Sequence, residues 1–174
     1  MYGKIFLNII FLITLTALQL SFLNSLPRPF GNFSLVIIVL IFMLGLRDDW
    51  LAIWWAAGVG VLFDFFSFYP FGIYIVSFSA MILLTKFLLV NFITNRSLYS
   101  FLTLCLFAGF IYKFFVYLLI FLLFFLEKKD FPFIMDKSFF FSEFIFLAIN
   151  SVGVAIIFYL LSKAVKKLRP AFFR

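Results

Sequence analysis

Six long apolar stretches, separated by short polar or turn-forming segments, make up most of the chain. They run from Ile5 to Leu23, Phe33 to Leu46, Trp50 to Phe66, Ile73 to Ile93, Leu98 to Leu126 and Phe139 to Leu161. A helix crosses a hydrocarbon core of about 30 Å with about 20 apolar residues. The pattern therefore predicts an all-α, polytopic membrane bundle of about six helices, forming one domain over 1–174. Alternating polarity is absent, which argues against an outer-membrane β-barrel. Proline, glycine and asparagine mark the first break, Asn24 to Asn32, and Arg47-Asp48-Asp49 the second. Run two is the shortest: its 14 residues reach only about 21 Å. It reads as a short tilted span, or as one arm of a re-entrant hairpin with run three that leaves four full spans. Run five is long enough to tilt or to project from the bilayer. Run one has Lys4 ahead of it, but it is long for a signal h-region and no A-x-A site follows, so it reads as a retained span.

Composition strengthens this picture. The chain is 67% hydrophobic and 12% charged, with a mean hydropathy of +1.24, whereas soluble domains carry roughly 25% charged residues. A single soluble core could not hide so much apolar surface, because a folded domain of this size leaves about a third of its chain surface exposed. No histidine is present, so histidine bases, catalytic triads and imidazole metal sites are excluded. The single cysteine, Cys105, permits neither an internal disulfide nor a thiolate metal site and reads as a small buried residue. No catalytic residue, metal or cofactor is expected.

The net charge of +7 changes meaning once the runs are placed, because the basic residues flank them. They report topology rather than nucleic-acid binding. With six spans, one side holds Lys4, Arg47, Arg96, Lys163, Lys166, Lys167, Arg169 and Arg174. The other holds Arg28, Lys128, Lys129 and Lys137. The bias predicts both termini in the cytoplasm. The longest loop, Glu127 to Ser138, is too short for a domain, so any activity belongs to helices, short loops and the basic tail. That tail is topogenic and could also meet anionic lipid.

Polar and small residues inside the runs are the candidate chemistry. Ala52, Ala56 and Gly60 recur every four residues, and Asp64 continues the stripe. Such positions share one helical face, and small residues let two backbones approach closely. The seam, widened by Ala57 and Gly58, serves either packing within the bundle or a partner's helix. An acid in a membrane is rare unless paired, hydrated or functional. Asp64 is open to three readings: an interfacial acid, a lock on a neighbouring loop or helix, or an ion-coupling group. Pro70 and Gly72 after it form a hinge, since proline lacks an amide hydrogen and glycine adopts positive φ. Rise per residue puts Asp64, Lys113 and Glu143 at similar depth, and an Asp64–Lys113 ion pair is the expectation, with Glu143 competing. Lys86 is expected to snorkel, Asn150 and Ser151 to join helices, and Trp50, Trp54 and Trp55 to form an interfacial belt.

The stretch Gly58-x-Gly60-x-x-x-Asp64-x-x-x-x-x-Pro70-x-Gly72 resembles the central motif of the MreD family of rod shape-determining membrane proteins. The bulky Phe65-Phe66-Ser67-Phe68-Tyr69 departs from the small residues more usual there. The resemblance implies a non-enzymatic, multi-pass adaptor of the bacterial inner (cytoplasmic) membrane, within the cell-elongation machinery. Its implied partners are a single-span MreC-like protein and, through it, an MreB-like actin filament and peptidoglycan-synthesis enzymes, besides membrane lipids. The rival reading is a substrate-binding membrane subunit of an energy-coupling-factor vitamin transporter, also a small six-helix protein. Run one offers only Ala17-x-x-x-Ser21 as an echo of the docking face of such subunits, and the loops offer few convergent polar groups for a ligand.

Overall fold

A computed structural model describes residues 2–27, 30–46, 49–92, 97–126 and 137–172. Lipid offers backbone groups no hydrogen bonds, so chains that cross it through helices satisfy those groups within each segment. The described residues comply: the regular elements are helices α1 (Tyr2–Ser21), α2 (Leu35–Leu46), α3 (Asp49–Phe66), α4 (Ile73–Phe92), α5 (Leu98–Leu126) and α6 (Lys137–Phe172), with single 3-10 turns at Leu23–Ser25 and Phe30–Asn32. Four stretches are long and apolar enough to cross a bilayer: Phe6–Ser25, Ile73–Phe92, Leu98–Leu126 and Lys137–Lys163. The bundle is that of a membrane protein, with large apolar side chains such as Phe6, Phe87, Phe110 and Phe125 on the outside.

The shortest helix is the central one. α2 touches all five other helices, and Val36, Ile37, Ile38, Leu40 and Ile41 are almost wholly enclosed. A helix apolar on every side belongs inside a bundle, which explains why run two carries no polar face. Its 12 residues reach only about 18 Å, so at its Leu35 end it leaves part of the membrane depth unfilled. The most extensive helix–helix packing is α3 on α4, followed by α4 on α5 and then α5 on α6.

Three sequence expectations change here. The helix begun by run six continues past Leu161 to Phe172. Trp55 is no belt residue: it is 5% exposed and packs on Phe11 with ring centroids 5.5 Å apart, while Trp50 and Trp54 face outward. The expected Asp64–Lys113 pair is replaced by Lys113–Glu143, with Nζ 3.1 Å from Oε1. Rise per residue gave usable depths, but it carries no information about which helices are neighbours. Of the topology-setting residues, Arg28, Arg47, Arg96, Lys128, Lys129 and Arg174 lie outside the described residues.

Candidate functional site at the Pro70 end of the bundle

The α3–α4 turn shows why its residues are what they are. The seam is internal: Ala52 and Ala56 are fully buried, and Gly60 lies against the start of α4. A Cβ on Gly60 would sit 2.5 Å from the Ile75 Cα and 2.9 Å from the Tyr74 carbonyl oxygen. Only glycine permits that approach. Gly58 points elsewhere, toward a methyl of Leu12 on α1. Of the two uses expected for the seam, the structure displays packing within the bundle.

One turn beyond Gly60, Asp64 is 4% exposed and meets the first turn of α4. Its Oδ2 accepts the N–H groups of Gly72 and Ile75 at 3.0 and 3.1 Å, and its Oδ1 accepts that of Tyr74 at 2.9 Å. A helix leaves its first four N–H groups without intrahelical partners. An N-cap side chain usually accepts one of them, but here the residue before the helix is Gly72, which has no side chain. Asp64 caps α4 from the neighbouring helix instead, and its negative charge faces the positive end of the helix dipole. Gly72 has φ +110°, so the turn requires glycine. Pro70 is exposed in the same turn. Among the readings of Asp64, the structure places it as a lock on the next helix.

The same device recurs at α2 with uncharged groups. Gln19 on α1, 3% exposed, accepts the Leu35 N–H at 2.9 Å through Oε1 and donates from Nε2 to the Phe33 carbonyl and to Asn24. Asn150 on α6, 2% exposed, accepts the Ser34 N–H at 2.8 Å and donates to the carbonyls of Asn32 and Phe146. The joining role expected of Asn150 is therefore a specific one, holding the chain just ahead of α2. Gln19 was not among the sequence candidates; its signal was an amide in an otherwise apolar run. No buried side-chain nitrogen or oxygen among the described residues lacks a partner.

Between these caps lies a cavity of about 460 Å³. Its walls come from the chain around Asn24 and Gly31–Ser34, the α3–α4 turn, α5 and α6. It occupies the Leu35 end of α2, where the short central helix runs out. Tyr69, Tyr74, Tyr112, Lys113 and Tyr117 line it together with Gln19, Asn24, Asn32, Ser34 and Ser67. The sequence reading counted loops and found few convergent polar groups. The structure converges them from helices and connecting segments alike: Gln19, Tyr74, Tyr112, Lys113 and Tyr117 come from long helices, and Asn24, Asn32, Ser34, Ser67 and Tyr69 from the segments between them. In the cavity wall, Lys113 pairs with Glu143, Tyr117 donates to the same carboxylate oxygen at 2.6 Å, and the Lys113 ammonium stands 4.6 Å from the Phe146 ring centre. A carboxylate holding a cation and a phenol in a low-dielectric setting forms charge-assisted bonds. No group of three or more potential metal ligands occurs among the described residues. No family model, curated protein or solved structure matches the chain.

Proposed function

We propose that the protein is a non-enzymatic adaptor of the bacterial inner membrane, with six spans and both termini in the cytoplasm. In this reading it works in the cell-elongation machinery, like the MreD family whose motif it resembles. The supporting observation is the α3–α4 hairpin. Gly60 allows the close approach, Asp64 caps α4, and Gly72 takes the positive φ of the turn. The residues that carry the resemblance thus fix the relative position of two helices, which suits a part that presents a surface to partners. The longest segment between apolar runs is too short for a domain, so partners meet the helices and loops directly.

The proposed partners are a single-span, coiled-coil MreC-like protein and, through it, an MreB-like filament and wall-synthesis enzymes. Affinity capture from mild detergent tests this. The expected companion is the single-span protein, and Gly60→Leu, which forces α3 from α4, should release it. Capture of a pair of ATPases instead would contradict the adaptor. The cavity at the Pro70 end favours a second reading as the substrate-binding membrane subunit of a transporter. In that case a soluble small molecule should co-purify with the chain and leave on denaturation.

A further inference from the structure

A second hollow adjoins the polar cavity. It is a groove of about 390 Å³ between α5 and α6, walled by Phe110, Phe114, Leu118, Phe121, Phe140 and Leu147 among others. Phe110, Phe114, Phe121 and Phe140 are each about half exposed or more, so the groove opens sideways toward lipid. Lys113 and Tyr117 line both hollows. Those two side chains, joined through Glu143, therefore stand between a cavity of mixed polar and apolar lining and an almost wholly apolar groove.

We propose that cavity and groove together hold one membrane lipid with a headgroup of zero net charge. The head occupies the cavity, one hydrocarbon chain lies in the α5–α6 groove, and the Lys113–Glu143 pair is the sill between them. Three observations select this occupant. The lining carries polar groups in the cavity and is almost wholly apolar in the groove, with Lys113 and Tyr117 common to both, which matches an amphiphile better than a wholly polar or wholly apolar solute. The hydroxyls of Tyr69, Tyr74 and Tyr112 and the amide of Asn32 line the cavity and hydrogen-bond to no described residue, which leaves them for a head. The charge is settled at the sill: Lys113 is neutralised by Glu143, and no carboxylate lines the cavity among the described residues. An added anion would leave an uncompensated charge in low dielectric, which is strongly disfavoured. Each hollow alone lies within the roughly 300–1,000 Å³ range of ligand pockets. The inference is independent of the adaptor reading and survives its failure.

The test is lipid retention by the full chain in detergent, read by native mass spectrometry. The protein is offered equal amounts of phosphatidylethanolamine, a glucosyl diacylglycerol and phosphatidylglycerol. One neutral lipid per chain should be retained, at least about tenfold over phosphatidylglycerol, and the preferred neutral lipid identifies the head chemistry. Leu118→Trp fills the groove from its lipid face and should abolish retention. Leu83→Trp, a comparable change on the exposed face of α4, should leave it intact. Tyr69→Phe with Asn32→Leu should remove the preference among heads. Equal retention of all three lipids, or undiminished retention by Leu118→Trp, would identify ordinary surface lipid and overturn the proposal. Tight binding of soluble phosphoethanolamine or of a glucoside without a chain would overturn it too, as would no retained lipid.

Discussion

Replacing Asp64 by alanine removes three acceptor bonds at once and leaves the first turn of α4 uncapped. The bonds span 2.9–3.1 Å and reach Gly72, Tyr74 and Ile75. A hydrogen bond to a charged group contributes roughly 1.5–3 kcal/mol, and a charge at a helix terminus adds about 0.3–1 kcal/mol, more when partly buried. Full additivity would give more than about 5 kcal/mol. Ser67 and Tyr74 line the cavity, however, and water entering there can take over part of the lost bonding. The expected loss is therefore about 3–4 kcal/mol, or roughly 6–16 °C in Tm for a chain of this length. Thermal unfolding in detergent, followed by circular dichroism, measures it. Hydrogen exchange should locate the loosening at Gly72–Ile75. Asp64→Asn keeps the size but turns an N–H₂ toward backbone donors, so it should fall close to alanine. An Asp64→Ala protein melting within about 2 °C of the parent would refute the capping account, since that is under about 1 kcal/mol. An ion-coupling acid would give that result, with activity lost and stability kept.

Other positions give separate tests. Gly60→Ala should cost about 1–3 kcal/mol by overpacking, because its Cβ would meet backbone rather than a yielding side chain; equilibrium unfolding measures it, and an unchanged midpoint would exclude the close approach. Gly72→Ala meets no atom within 4 Å, so its cost of about 1–3 kcal/mol comes from backbone strain alone and should appear in the same assay without loss of helix content. Gln19→Leu strands the Leu35 N–H and should destabilise by about 1–3 kcal/mol, with faster exchange at the start of α2. Lys113→Glu and Glu143→Lys should each lower the yield of folded protein, and the double swap should recover part of it. A coupling energy under about 0.5 kcal/mol, the lower limit for residues in contact, would show that the pair contributes nothing.

The helices were legible because each apolar run is bounded by polar or turn-forming residues, and four of the resulting stretches meet the length that lipid imposes. The locking residues were legible by type. Gly60 stood out as a small residue in a four-residue stripe, Asp64 because an acid in a membrane is rare unless it is used, and Gly72 because a turn exploits its positive φ. Their partners were harder to read, since Asp64 accepts from backbone groups that every residue carries, and no side chain advertises them. Lys113 was assigned to the wrong acid for a related reason: depth follows from counting residues, whereas adjacency follows from packing. The cavity was invisible because it arises from α2 being short and central, a property of the assembled bundle. The spacing of Tyr69, Tyr74, Tyr112 and Tyr117 along the chain carries no sign that the fold turns them to a common space.

The adaptor reading is tested most directly by depleting the protein in the cells that make it while following cell shape and the sites of new wall synthesis. The account predicts that elongated cells round up, that wall synthesis loses its placement along the side wall, and that Asp64→Ala fails to rescue while Leu83→Trp rescues. Cells that keep their shape and wall pattern after depletion, and instead lose uptake of a nutrient, would contradict it.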